Sequence, residues 1–280
     1  MFQDPDTRAP LGTQYRTFHS ATVGRPTSYL LYLPPDYFDQ GEQSSARYPV
    51  VYWLHGLNGT QRDGAASFVP HLDANIRSGL APPMIAVLVN GLGDSRYYDS
   101  FDGKRPVESV IVRDLIPHVD SSYRTLRTRE CRAIEGFSMG GFGAAHLGFK
   151  YPDLFGAVSI MAGALLDDES AAGAPDLITT PQLFKKCFGT REYFHAGSPW
   201  VVVRDHAEQI RAQTRIRMAV GENDALCGRN RRYHQLLNEL NIAHEFTALP
   251  HVGHDAEAIY AALGTGGFSF YRTAFSCASL

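Results

Sequence analysis

The chain has 280 residues, 44% of them hydrophobic and 11% aromatic, enough apolar material for a sizeable core, so disordered and fibrous classes are excluded. Lys plus Arg number 26 against 29 for Asp plus Glu, a formal net charge of -3, which gives no electrostatic reason to expect nucleic acid or an anionic membrane as partner. At roughly 150 residues per domain the length allows one or two domains.

In chain order, residues 1–6 carry acids and a proline where a leader would need basic residues and an apolar run. No apolar stretch approaches the roughly 18 residues of a membrane-crossing helix. The expectation is a soluble protein, cytoplasmic, or secreted where a leader has been removed. Residues 28–33 (SYLLYL) read as a strand stopped by Pro34 and Pro35. Residues 49–54 (PVVYWL) are nearly continuous apolar and run into His55 and Gly56, the pattern of a parallel strand covered on both faces. Residues 84–90 repeat it and break at Gly91; 132–137, 157–161, 216–220 and 245–249 complete seven strand candidates.

Helical patterns lie between them. Residues 107–123 place Val110, Ile111, Leu115, Ile116 and Val119 on one face. Residues 139–151 form a helix of small residues ending before Pro152, 229–240 carry a Leu236, Leu237, Leu240 stripe, and 256–263 form a helical run. Strands alternating with helices predict βαβ units and a largely parallel sheet. Residues 163–199, rich in Ala, Gly, Pro and Asp, break the rhythm and read as an excursion or partial lid over the sheet edge. No linker, repeat or charge block divides the chain, so one domain over 1–280 is expected. Cys131, Cys187, Cys227 and Cys277 are far apart and form no C-x-x-C pair, which predicts buried free thiols and no zinc site.

Gly136-Phe137-Ser138-Met139-Gly140 fits G-x-S-x-G. Alone the motif is a weak signal, but it closes one strand candidate and opens a helix, the context the chemistry needs. Glycines let the backbone pass through a sharp strand-to-helix turn that lifts the serine hydroxyl above the sheet. The helix N-terminus aims free N–H groups at the place where an oxyanion would develop. The competing reading is a turn in which Ser138 merely caps the helix.

A serine nucleophile needs a base, and the base needs an acid to fix its tautomer. In hydrolase order the acid follows the serine in a loop after a strand, and the histidine comes last. Residues 216–220 are such a strand, followed by Glu222 and Asp224. Asp224 is preferred because it lies clear of the strand end, against the alternative that it caps the next helix. After residues 245–249, His254 follows a glycine and precedes a helix, and is preferred over His251. His55 precedes the serine and reads as a loop organiser. The second oxyanion donor is expected from the loop after residues 49–54, with the Leu57 backbone N–H pairing with that of Met139.

With these residues in place the sequence resembles the esterase D-like family of α/β-hydrolases, the group of feruloyl esterases, acetylxylan esterases, S-formylglutathione hydrolases and bacterial mycolyltransferases. The likeness is carried by YPVVYWLHG at 48–56, LIPHVDSSYR at 115–124, RAIEGFSMGGFG at 132–143, YPDLF at 151–155 and GHD at 253–255. It implies an α/β-hydrolase fold with about eight mostly parallel strands and helices on both faces. It also implies Ser138 as nucleophile, His254 as base, Asp224 as acid, and Leu57 and Met139 at the oxyanion positions. Neither metal nor cofactor is expected. Glu135 departs from the family, which tends to have a small apolar residue there. A carboxylate inside that strand must be paired or protonated, and an arginine partner is expected.

The expected reaction is ester hydrolysis through an acyl-enzyme on a small-molecule ester, feruloyl or acetyl-carbohydrate and so of plant cell-wall type. A thioesterase and an acyltransferase are the alternatives on this fold. Tyr97 and Tyr98 in the 91–101 loop, Trp200 after the excursion and Asn58 are the candidate substrate-binding residues, since aromatics at the mouth suit an aryl ester. The alternative is that the aromatics pack the excursion onto the sheet.

Overall fold

A computed structural model describes residues 2–38, 45–167 and 179–275. Eight strands form one sheet: β1 (Gln14–Ser20), β2 (Arg25–Tyr32), β3 (Val50–Leu54), β4 (Ile85–Val89), β5 (Arg132–Phe137), β6 (Ala157–Met161), β7 (Arg215–Gly221) and β8 (Glu245–Leu249). Their spatial order is β1-β2-β4-β3-β5-β6-β7-β8. β3 through β8 run parallel, while β2 is antiparallel to both β1 and β4.

The uninterrupted apolar runs are explained by a core on each face. Val50, Tyr52 and Leu54 point into one apolar cluster, whereas Val51 and Trp53 point into the other. The first core is covered by a helical stretch made of α3 (Val107–Ser109), a π-helical segment (Val110–Leu115) and α4 (Ile116–Ser122), then by α5 (Met139–Lys150). Onto the opposite face pack α1 (Gln61–Ser67) and α2 (Val69–Arg77), with Phe68 and Leu72 fully buried.

Chain after β6 contains α6 (Pro181–Phe188), α7 (Arg191–Gly197), α8 (Pro199–Asp205) and α9 (Ala207–Gln213). The expected excursion at 163–199 therefore contains helices, although residues 168–178 of it lie outside the described residues. Pro181 and Pro199 each open a helix behind a Thr or Ser N-cap, a helix-start signal hidden by the Gly, Ala and Pro content. Finally α10 (Cys227–Glu239) and α11 (Ala256–Ala274) close the fold, α11 with a kink at Gly264, φ 55°.

Two differences from the sequence reading have physical causes. β1 was not expected because it buries only Phe18 and Ser20, and an outermost strand shows little apolar alternation. Cys131 is disulfide-bonded, not a free thiol, whereas Cys187 and Cys227 are free and Cys277 lies outside the described residues. Pairing between distant cysteines leaves no local signal.

Two buried charge networks tie the elements of the fold together. Glu135 on β5 has no exposure and is held by Arg217 Nη2 at 2.6 Å, Tyr260 Oη at 2.6 Å and Tyr271 Oη at 2.7 Å. Arg217 also donates to Ser159 Oγ at 2.8 Å, and Trp53 Nε1 donates to Tyr260 Oη at 2.9 Å. This network bridges β5, β7 and α11 across the sheet face, and supplies the arginine partner expected for Glu135. On the other face, Glu108 accepts from His146 Nε2 at 2.8 Å, Lys150 Nζ at 2.6 Å and the Tyr151 hydroxyl. Burial raises the Glu108 carboxyl, but the nearby His146 and Lys150 outweigh it and hold the group far below the usual carboxylate range. His146 Nδ1 donates to the Gly197 carbonyl at 2.7 Å, tying α7 to α5.

Arg217→Met is expected to destabilise the protein by about 3–5 kcal/mol, since it strands a buried carboxylate. Adding Glu135→Leu should return part of the loss; urea unfolding of both variants checks this. For Glu108 the depressed folded-state value means stability that is present above the unfolded carboxylate pKa and lost as pH falls below it. Glu108→Gln should therefore lower Tm at pH 7, with the gap to wild type narrowing toward pH 2, by thermal unfolding across that range.

Candidate active site

β5 delivers Ser138 to the C-terminal edge of the sheet through a turn that only small neighbours allow. A Cβ on Gly136 would sit 2.2 Å from the Gly140 carbonyl oxygen, and one on Gly140 would sit 1.9 Å from that of Leu54. Ser138 itself has φ 59° and ψ -115°, a conformation that costs an L-residue on the order of 1–3 kcal/mol. Its backbone is tied from three sides: its N–H donates to Met161 O at 2.9 Å, and its carbonyl accepts from Phe142 at 3.1 Å and Ala164 at 2.8 Å.

His254 arrives on the loop after β8 and Asp224 on the loop after β7. His254 Nε2 lies 2.9 Å from Ser138 Oγ, and His254 Nδ1 lies 2.7 Å from Asp224 Oδ2. A carboxylate only accepts, so Nδ1 carries the proton and Nε2 faces the serine hydroxyl as acceptor. The Asp224 side chain is fully buried and its Oδ1 accepts from Leu226 N at 2.7 Å, which fixes the carboxylate plane. The His254 ring keeps 38% exposure and leans on Phe137 at 4.7 Å. Glu222 instead meets Arg231 at 3.4 Å on the surface, and His251 is exposed.

Met139 is the first residue of α5, where the N–H has no carbonyl of its own helix to meet. Leu57 lies on the turn beyond Gly56, whose added Cβ would touch Ser138 Cβ at 3.4 Å. His55 organises that turn, as its sequence position suggests. Fully buried, it donates from Nδ1 to Gly56 O at 2.8 Å and accepts at Nε2 from Gly91 N at 3.2 Å. Burial pushes its pKa down, in keeping with a neutral ring that both donates and accepts.

Ser138 and His254 open on a cavity of about 610 Å³ with Leu57, Trp53, Phe137 and Arg96 among its walls. The three expected aromatic contacts are not there. Tyr97 is fully buried and donates to His55 O at 2.9 Å, and Tyr98 stacks on His146 at 4.0 Å and meets Phe188 edge-on at 4.8 Å. Trp200 packs edge-on to Tyr233 at 4.9 Å and is not part of the cavity wall. These rings find apolar partners in the core and under the excursion, the alternative considered above. Asn58 is exposed on the turn next to Leu57, with φ 59° and its N–H on Gly93 O at 2.5 Å. The aromatic walls are instead Trp53 and Phe137, which read in sequence only as strand residues. Arg96, also missed, is buried at the cavity wall and precedes Tyr97 and Tyr98 in the chain.

Comparison with known proteins agrees with this architecture. A family profile described as "Putative esterase" matches residues 20–275. An esterase of Mycobacterium tuberculosis is 34% identical over 154 residues, covering 53% of this chain and 32% of that protein. The endo-1,4-beta-xylanase/feruloyl esterase of Xylanibacter ruminicola is 29% identical over 182 residues, covering 62% of this chain and 24% of its own. The chain thus spans about a third or less of the length of these relatives. A solved ferulic acid esterase is 25% identical with a TM-score of 0.75, covering 94% of this chain and 98% of that one. The chain belongs to this esterase family and has the α/β-hydrolase fold.

Proposed function

We propose that the protein is a serine carboxylic ester hydrolase acting through an acyl-enzyme. The observation that carries the reading is the unbroken relay from Ser138 Oγ to His254 Nε2 at 2.9 Å and from His254 Nδ1 to Asp224 at 2.7 Å, at the floor of a cavity. As Ser138 Oγ attacks the ester carbonyl carbon, its proton passes to His254 Nε2. Asp224 holds the ring in the accepting tautomer and offsets the imidazolium charge. The carbonyl oxygen becomes an oxyanion facing the backbone N–H groups of Leu57 and Met139. Collapse breaks the bond to the leaving oxygen, which takes the proton from His254. A water then repeats the sequence on the acyl-serine, returning Ser138–OH and a free acid.

For the substrate we propose a feruloyl or acetyl-carbohydrate ester. The support is a cavity large enough for an aryl acid, walled by Phe137 and Trp53, together with the activities for which the Xylanibacter relative and the ferulic acid esterase are named. We read the chain as one hydrolase domain, with the described residues 179–199 of the excursion as a partial lid and Asn58 at the substrate entrance. The disulfide at Cys131 favours an oxidising compartment. Among the described residues no helix is long and apolar enough to cross a membrane.

Ser138→Ala is expected to lower kcat for p-nitrophenyl acetate by about 10⁴-fold or more, and retention of the wild-type rate would remove Ser138 from the role. Asp224→Asn should cost on the order of 10⁴-fold in kcat with the fold intact, because the ring then settles in the wrong tautomer; circular dichroism and steady-state rates on the same sample check both halves. In a panel of methyl ferulate, acetylated xylose and S-formylglutathione, either of the first two should give the highest kcat/KM. A clear win for the thioester would overturn the substrate reading.

A further inference from the structure

A second cavity, of about 350 Å³, borders the same turn that carries Leu57. Gly56 and Leu57 wall the catalytic cavity, whereas Gly59, Thr60 and Gln61 wall the second one. The loop after β4 contributes Asn90, Gly93 and Asp94, and two cations, Arg105 and Lys186, complete the polar lining. None of these groups takes part in the proposed chemistry.

The chemistry of this cavity is specific. Arg105 Nη2 and Lys186 Nζ both bond to Asp94, Lys186 at 2.5 Å. Two cations thus share Asp94, and the other carboxylate of the lining, Asp4, is paired with Arg62 at 3.0 Å. Asp94 is pulled below its ordinary pKa by the Lys186 hydrogen bond and the Arg105 charge, which together outweigh its partial burial, so it stays ionised and does not serve as a proton donor. Arg105 is only 7% exposed, and its Nη1 is buried with no hydrogen-bond partner. A guanidinium N–H without an acceptor is a cost, and a side-chain shift that turns Nη1 into the cavity would let a ligand oxygen remove it. Around these cations stand groups that exchange hydrogen bonds with hydroxyls: the amides of Asn90 and Gln61, the Thr60 hydroxyl and the Asp4 carboxylate.

The wall is also held in place. Asn58 N–H donates to Gly93 O at 2.5 Å, Cys187 Sγ to Asp94 O at 2.9 Å, and Arg105 N to Ser100 Oγ at 2.9 Å. A cavity that is fixed before binding loses less entropy when filled, and 350 Å³ accommodates a single sugar ring.

We propose that this cavity is a subsite for a carboxylate-bearing sugar unit of the ester substrate, its carboxylate on Arg105 and Lys186 and its hydroxyls on Asn90, Gln61 and Thr60. The proposal rests on the ester-hydrolase reading and adds the class of carbohydrate. A neutral sugar would meet the same amides but offer the two cations no charge beyond that of Asp94. Neighbouring residues of one turn, 56–57 and 59–61, wall the two cavities.

The test separates the two readings by measuring binding without chemistry. Galacturonate and galactose are titrated into Ser138→Ala protein and followed by amide chemical shifts. Galacturonate should bind at least about tenfold more tightly at low salt, with shifts at Thr60, Gln61, Asn90 and Asp94, and the advantage should shrink as salt rises. Arg105→Gln and, at an exposed position that does not threaten folding, Lys186→Glu should each erase most of that preference. In wild-type enzyme, acetylated galacturonate should show a KM about tenfold below acetylated galactose, matching the binding ratio. Equal binding of the two sugars, shifts elsewhere, preference surviving both variants, or equal KM values would overturn the subsite. Failure of wild type to hydrolyse p-nitrophenyl acetate would instead sink the esterase reading while leaving the titration result intact.

Discussion

The tightest constraint in the molecule is steric, at the place where β5 turns into α5. The Gly140 Cα is pressed against the end of β3 and Gly136 against the first turn of α5, so that a single methyl group at either position would collide with a carbonyl oxygen. Everything at the site follows from that closeness. It forces Ser138 into a conformation L-residues avoid, and the three backbone hydrogen bonds to Met161, Phe142 and Ala164 hold it there. The same approach brings the 55–59 turn against the serine and places the start of α5 beneath it. Backbone strain is concentrated where the chemistry is expected, and the surrounding sheet must be stiff enough to maintain it.

That stiffness has a source on the far side of the same strand. One residue before the elbow's first glycine, Glu135 anchors β5 to β7 through Arg217 and to α11 through two tyrosines. β7 ends in the loop that carries Asp224, and α11 begins directly after His254. A buried ionic network of this kind contributes little net stability compared with well-packed apolar residues. Its value here is registration: the three segments that carry Ser138, Asp224 and His254 are fastened to one carboxylate. On the opposite face Glu108 and His146 do the corresponding work for α5 and the helices that follow β6.

How much of this could be read in the sequence depended on how local the signal was. The central strands were legible because both faces are buried, so apolar residues run without interruption. β1 was not, since only one of its flanks is paired and most of its side chains face water. Ser138, Asp224 and His254 could be grouped from the sequence because each follows a strand end in a fixed order, and the structure brings the three side chains within hydrogen-bond distance. Tyr97, Tyr98 and Trp200 were misplaced for a related reason: a loop aromatic looks the same in sequence whether it faces a cavity or fills the core. Nothing local distinguishes Arg96 or Phe137 as cavity walls, or marks Cys131 as bonded, because those properties are made by segments distant in the chain.

The two outer strands of the sheet have a consequence beyond the site. An open sheet offers unpaired backbone at both ends, a template on which further strands could add. β1 presents exposed Arg16, Thr17 and His19, and β8 is five residues long with Glu245 and Thr247 outward. Charge on β1, and charge with short length on β8, make both borders poor seeds for another chain. The polar character that hid β1 from sequence reading is therefore the same property that keeps copies of the sheet from joining edge to edge.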